Sequence, residues 1–204
     1  MHIKYAAYTS NTQNWPAVDE DRPLKYLWTP AKEIWRTYQE DLFRGAYPEQ
    51  TRPMEELISS VFIRNAHSRY QLREFMTDFW LNHFNVSYLK GLEVIYTLIP
   101  YDRDAIRPYA LGMFRQLIHG VAISGAMLKY LDNADSNAVY PNENYARELI
   151  ELHTLGRAVY YGKNTEGHDY SQVGFTDDDV IQAARAVGLD DQPGAAHPGR
   201  RHRR

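Results

Sequence analysis

Apolar residues recur along most of this chain with the spacing of one helix face rather than with strand alternation. A helix is predicted after Thr29, with Pro30 at its first position, running to about Phe43. Another is predicted over about Pro53 to Ala66, where Met54, Leu57, Ile58, Val61 and Phe62 fall at helical intervals. Ser68 reads as the N-cap of a third, Tyr70 to Phe84, whose Leu72, Phe75, Met76, Phe79 and Trp80 form one stripe expected to face the core. Tyr101 to Asp104 reads as polar linker, followed by helical segments over about Ala105 to Ile118 and Gly125 to Leu131. After a loop from Asp132 to Tyr140, a helix is predicted over Glu143 to Leu155, then a Gly- and Tyr-containing loop to Gly174. The last helix has the clearest start: Thr176 and Asp179 form an aspartate version of the capping box, and Asp177 and Asp178 add negative charge where the helix dipole favours it. Val94 to Ile99 is the one β-like run. The expectation is an all-α array of six to eight helices with long loops.

Two ends depart from this pattern. Residues 1–30 show no period and hold Trp15, Pro16, Pro23, Trp28 and Pro30, so they read as an irregular segment packed by aromatics. Residues 31–187 then form the helical domain. The stretch 188–204 has no core-forming residue after Leu189 and four arginines, and reads either as a disordered basic tail or as sequence out of its natural frame.

Composition narrows the function classes. The net charge of −3 argues against general nucleic-acid binding, which wants a basic surface. The chain has no cysteine, which excludes disulfides, thiolate metal sites and a cysteine nucleophile. The first ten residues lack the apolar run of a signal peptide. Leu111 to Leu131 is interrupted by Arg115, Gln116, His119 and Lys129, so it is not expected to span a membrane.

Candidate chemistry concentrates between Pro141 and Gly156, where Asn142, Glu143, Asn144, Arg147, Glu148 and Glu151 crowd ten positions of an otherwise apolar helix. At about 100° per residue, Asn144, Arg147, Glu148 and Glu151 share one narrow seam. Three readings stay open. The seam is the solvated face, with Arg147 and Glu151 paired one turn apart. Or it is a polar network that locks the preceding loop, with Arg147 bridging carboxylates and asparagines capping backbone. Or it holds a ligand or a divalent metal ion, since Glu148 and Glu151 can reach one cation. His83, on the stripe of Leu72, Met76 and Trp80, is expected to face the core, as a structural group or as a third ligand beside Glu148 and Glu151. Asp132 to Asn137 lacks EF-hand spacing, and the loop from Gly162 to His168 has no phosphate-loop pattern.

Four ordered segments carry a resemblance: L-R-E-F-M-T-D-F-W-L-N-H-F at 72–84, Y-L-D-N at 130–133, P-N-E-N-Y-A-R-E-L-I-E-L-H-T-L-G at 141–156 and F-T-D-D-D-V-I-Q-A-A-R-A at 175–186. Over about residues 50–187 the chain resembles the bacterial family called domain of unknown function 1800. The resemblance implies a mostly helical protein, often exported to the periplasm or beyond. It also implies a partner encoded nearby, from an uncharacterised family related to sulfatases and alkaline phosphatases. It supplies no reaction. Members commonly continue A-R-A-L-T-G-W where this chain has Ala184-Arg-Ala-Val-Gly-Leu189, which favours the out-of-frame reading and a central fragment. Two functions follow as expectations: an accessory or structural interaction module, and a metal-dependent hydrolase using Glu148, Glu151 and His83, with Arg147 holding an anionic substrate.

Overall fold

In the computed structural model the described residues are 2–10, 13–21, 23–44, 47–136, 141–163 and 173–187. The tail 188–204, most of the loop predicted between Gly162 and His168, and residues 137–140 of the loop before the polar helix lie outside them. The chain divides into two compact units, Met1–Tyr130 and Leu131–Arg204. The fold is predominantly α-helical, as expected.

The first unit opens with a nested ribbon. Strand β1 (His2–Tyr5) pairs antiparallel with β4 (Val18–Asp21), and β2 (Tyr8–Ser10) pairs with β3 (Gln13–Trp15). Within the segment expected to be packed by aromatics, Tyr8 lies 6.3 Å from Tyr5 and stacks on Trp15 at 6.5 Å, whereas Trp28 is exposed. Its strands were missed because they are three or four residues long and β4 has no buried residue. Without a covered face, nothing selects an apolar–polar alternation.

Among the described residues of this unit seven α-helices follow: α1 (Ala31–Arg44), α2 (Tyr47–Gln50), α3 (Arg52–His67), α4 (Gln71–His83), α5 (Leu92–Pro100), α6 (Phe114–Ala122) and α7 (Gly125–Tyr130). The boundaries of α1, α3, α4 and α7 fall close to the predicted ones, whereas α2 was not predicted and the helix predicted over Ala105 to Ile118 begins only at Phe114, after the turns that follow α5. The β-like run Val94–Ile99 is another exception, because it forms the body of α5. A short apolar run does not distinguish a buried strand from a buried helix. Helix α5 buries Val94, Ile95, Tyr96 and Ile99, and packs against α1, α3 and α7. Around it Tyr26, Ile34 and Tyr38 complete the main core. The chain does not break into linker after Pro100. It continues as a π-helical turn, Tyr101–Ile106, that buries Tyr101, Asp102, Ala105 and Ile106.

Charged side chains, unexpectedly, hold the inner faces of α3 and α4. Glu74 is 7% exposed and Asp102 2%. Arg107 Nη1 donates to Glu74 Oε2 at 2.8 Å and Nε donates to Asp102 Oδ2 at 3.5 Å. Arg64 Nη2 donates to the same Asp102 oxygen at 3.2 Å, and its Nε lies 3.6 Å from Glu74 Oε2. Two cations and two carboxylates therefore join α3, α4 and the π-turn. Burial pulls the Arg64 pKa down and the neighbouring Arg107 adds to the fall, against the pull of Asp102 and Glu74. A guanidinium keeps its proton regardless. Beside this network Arg52 Nε donates to Glu56 Oε1 at 2.9 Å, Glu56 Oε2 accepts the Tyr26 N–H at 2.6 Å, and Arg52 Nη2 donates to the Pro23 carbonyl. Arg103 donates to the Leu27 and Thr29 carbonyls. The segment before α1 is thus pinned by arginines as well as by its aromatics.

This arrangement reverses the predicted orientation of α4. Glu74 and Thr77 face inward, while Leu72, Phe75 and Phe79, expected in the core, are 65%, 67% and 49% exposed. Trp80 and the following Phe84 still pack inward at the C-terminal end, stacked at 5.8 Å, with Trp80 Nε1 donating to the Ala110 carbonyl.

The second unit is built on α8 (Glu143–Glu151) and α9 (Asp177–Val187), which meet through Ala146, Val180 and Ala184 with Phe175 beside them. A lone parallel bridge joins Tyr160 to Phe175. At Gly174 a Cβ would meet the Tyr161 ring, which would have to move aside. The predicted capping box forms, with Asp179 Oδ2 accepting the Thr176 N–H at 2.8 Å and Thr176 Oγ1 accepting the Asp179 N–H at 3.4 Å.

If the buried charges set the orientation of α4, Glu74→Ala should cost about 3–5 kcal/mol by stranding Arg64 and Arg107. Phe75→Ser should stay within about 0.5 kcal/mol, as surface substitutions do. Urea unfolding of both variants checks this, and the reverse order of costs would contradict the orientation.

Candidate functional site

The polar residues singled out in the sequence have distinct roles in the second unit. Asn142 is the N-cap of α8: its Oδ1 accepts the Tyr145 N–H at 2.9 Å and its Nδ2 donates to the Leu131 carbonyl at 2.9 Å. Its own N–H donates to Ser136 Oγ at 3.0 Å. One side chain thus starts the helix and holds the chain that precedes it. Glu143, in the first turn where the dipole favours a carboxylate, and Asn144 are both exposed.

Arg147 does not pair with Glu151. Its Nη2 donates to Asp177 Oδ1 at 2.8 Å, thirty residues along the chain, and its guanidinium lies 5.3 Å from the centre of the Tyr160 ring. The Tyr160 hydroxyl donates to the same Asp177 oxygen at 2.7 Å. This clasp ties α8, the 160–163 segment and the start of α9. The Arg147 and Tyr160 hydrogen bonds hold the Asp177 carboxyl below its ordinary pKa, and the same bond raises that of Arg147. Glu151 has Arg157 Nε at 3.8 Å, an ion contact without a hydrogen bond. Glu148, half-buried, has no side-chain partner among the described residues.

His83 is exposed at the C-terminal end of α4, where the sequence stripe placed it in the core. The reason is the orientation of α4 set by Glu74. Its ring lies edge-on to Phe84 at 4.6 Å and to Trp80 at 5.8 Å. His83 belongs to the first unit and Glu148 and Glu151 to the second. Among the described residues no group of three or more His, Asp or Glu side chains is disposed to hold a metal ion.

Two concave sites in the first unit were not legible beforehand. One, of about 460 Å³, is walled by Trp35, Tyr96, Tyr101, Tyr109 and His119, with the π-turn as one side. Gly120 permits the close approach there, since a Cβ would lie 3.1 Å from the Ala105 carbonyl oxygen. Several of its polar groups are committed elsewhere. The Tyr101 hydroxyl donates to the Phe84 carbonyl, Ser124 Oγ to the Val121 carbonyl, and Asp104 is held by two Arg103 nitrogens at 2.7 and 2.8 Å. The walls are mainly apolar. The other, of about 550 Å³, opens at the N-terminal end of α4 between Arg69, Arg73, Arg107, Leu72 and Leu111. It is cationic on one side and apolar on the other. The only advance signal was the Arg-rich run R-Y-Q-L-R at 69–73, whose meeting with residues 107–111 depends on tertiary structure.

The chain belongs to the DUF1800 family, described as a protein of unknown function, whose model matches residues 4–192. The match extends well beyond the region of the four motifs and takes in the N-terminal ribbon. No curated protein and no solved structure matches the chain. No helix among the described residues is long and apolar enough to cross a membrane.

Asn142→Ala should cost about 1 kcal/mol, as the loss of an N-cap does. Hydrogen exchange should localise that loss to the first turn of α8, with α1 and α5 unchanged. The clasp has a pH signature. The Asp177 pKa is depressed on folding, so its stabilising contribution is present above the unfolded carboxylate value and is lost as pH falls through the folded value. The stability gap between wild type and Asp177→Asn should therefore be open at neutral pH and close in acid. A gap independent of pH would show that the carboxylate charge is not what matters.

Proposed function

We propose that this chain is a non-catalytic interaction module, an accessory part of a bacterial system that is often exported. The observation that carries this reading is the inverted polarity of α4. A 13-residue helix turns its buried carboxylate inward and leaves Leu72, Phe75 and Phe79 in water. Scattered apolar residues on a surface need no explanation, but an apolar stripe at one-face spacing is a feature of surfaces that meet another protein.

The polar seam supports the same reading. Catalysis needs titratable groups that converge on a cavity and remain available for proton transfer or ligation. Asn142 is spent on capping and on the Leu131 carbonyl, and Arg147 on Asp177 and Tyr160. A substrate anion would have to displace Asp177 to reach Arg147. The protein of the sulfatase- and phosphatase-related family, suggested by the family resemblance, is the first partner to test.

The competing reading is a metal-dependent hydrolase with Glu148, Glu151 and His83 as ligands to a divalent ion. Elemental analysis of the purified chain, dialysed without chelator, separates the two. The module reading expects no stoichiometric metal, and no change in metal content in folded Glu148→Ala and His83→Ala variants. Near-stoichiometric metal lost in both variants would overturn it and justify screening ester, phosphate and sulfate substrates.

A further inference from the structure

We infer that the outward face of α4 and the arginine cleft at its N-terminal end form one docking surface, whose occupant is an amphipathic helix of a partner protein bearing carboxylates at one end. This rests on the interaction-module reading and gives it a place and a partner chemistry. Leu72, Phe75 and Phe79 lie on one side of α4, spaced so that they span about two turns, or about 10 Å of helix axis. Leu72 belongs both to this stripe and to the wall of the 550 Å³ cleft, so the apolar face runs directly into the cationic one.

The charge of the cleft is not answered from within. Arg107 is neutralised by Glu74 and Asp102. Arg69 lies over the Tyr70 ring at 4.8 Å and donates to its hydroxyl at 2.6 Å, which orients the guanidinium without neutralising it. The Arg73 side chain has no partner among the described residues, and no carboxylate lines the cleft. The positive end of the α4 dipole points to the same place. Two uncompensated guanidiniums beside an apolar stripe and a tyrosine are the chemistry of an interface that receives carboxylates. An apolar helix laid along the stripe, with Asp or Glu at the end over Arg69 and Arg73, satisfies both halves at once.

A lipid surface fits less well. Helices that lie on membranes carry many basic residues on a broad polar face, whereas this surface has two uncommitted arginines on a chain of net charge −3. A parallel pairing of this face with a second copy of the chain would bring arginine against arginine, and an antiparallel pairing is the outcome that sedimentation tests.

The test uses the whole chain and a fluorescein-labelled helical peptide with a leucine face and glutamates at one end, followed by fluorescence anisotropy. The expected result is saturable binding that weakens as salt rises. It should fall about tenfold or more in Arg69→Glu/Arg73→Glu and in Phe75→Ser/Phe79→Ser, and by a smaller factor in Arg73→Gln. Phe62→Ser, exposed on α3, should leave it unchanged. All these side chains are exposed or close to it, and circular dichroism checks that each variant is folded. Equal binding of a peptide with glutamine in place of glutamate would overturn the proposal. So would insensitivity to the α4 variants, preference for phosphatidylglycerol vesicles over the peptide, or a wild-type dimer in sedimentation that Phe75→Ser/Phe79→Ser dissolves. Any of these with a metal-free protein removes this surface and leaves the module reading standing, whereas stoichiometric metal in the analysis above removes the reading itself.

Discussion

The architecture of the first unit depends on where two buried carboxylates meet two part-buried arginines. Arg64 comes from α3, Glu74 from α4, Asp102 from the π-helical turn and Arg107 from the turn that follows. Each arginine reaches both carboxylates, so no single member can be removed without leaving an unbalanced charge in the network. Such a network adds little net stability compared with an apolar core of equal volume, but breaking it is costly. Its effect is therefore on specificity. It fixes the rotation of α4 about its own axis, and with it which side chains meet water. It also accounts for the unusual end of α5, because the π-turn carries Asp102 inward rather than letting the helix run out into solvent.

The second unit uses charge differently. Its clasp is half-exposed, and its work is to tie segments distant in sequence: Arg147 on α8, Tyr160 in the segment between the two helices and Asp177 at the start of α9. Between α8 and α9 the buried apolar residues are Ala146, Val180 and Ala184 with Phe175 beside them, a small cluster. Directional bonds then carry the register that a larger core would otherwise supply. Asn142 does the same on the other side of α8, closing the chain back to Leu131. The density of polar groups in that segment thus belongs mainly to the joints of the unit.

Most of the helices were legible because they follow from local rules, though α2 and α5 were not among them. The capping box at Thr176 and Asp179 and the apolar spacing of α3 do not depend on what surrounds them. Orientation was not legible. A helical wheel gives an apolar side and a polar side of α4, but which one faces inward depends on whether Glu74 finds Arg64 and Arg107. The error in placing His83 follows from that single inversion. The same limit applies to the seam. From sequence, Arg147 has Glu151 within reach at one turn, and nothing local announces Asp177 thirty residues later. The run Val94–Ile99 failed for another reason: a segment apolar on all sides carries no period from which to choose between helix and strand.

The exposed stripe of α4 is best understood as the consequence of a competition between two terms of similar size. Burying Leu72, Phe75 and Phe79 would contribute about 1.5–3 kcal/mol for each side chain. Turning α4 to do so would withdraw Glu74 from Arg64 and Arg107, and a stranded buried charge costs about 3–5 kcal/mol. The isolated chain resolves this by keeping the charges together and wetting the apolar face. A partner that covers the stripe changes only one side of the competition, since it recovers apolar burial while Glu74 stays where it is. The interface and the buried network are therefore not independent features. A substitution that weakened the network would also loosen the surface offered to a partner, even though none of Arg64, Glu74 and Asp102 lines the cleft.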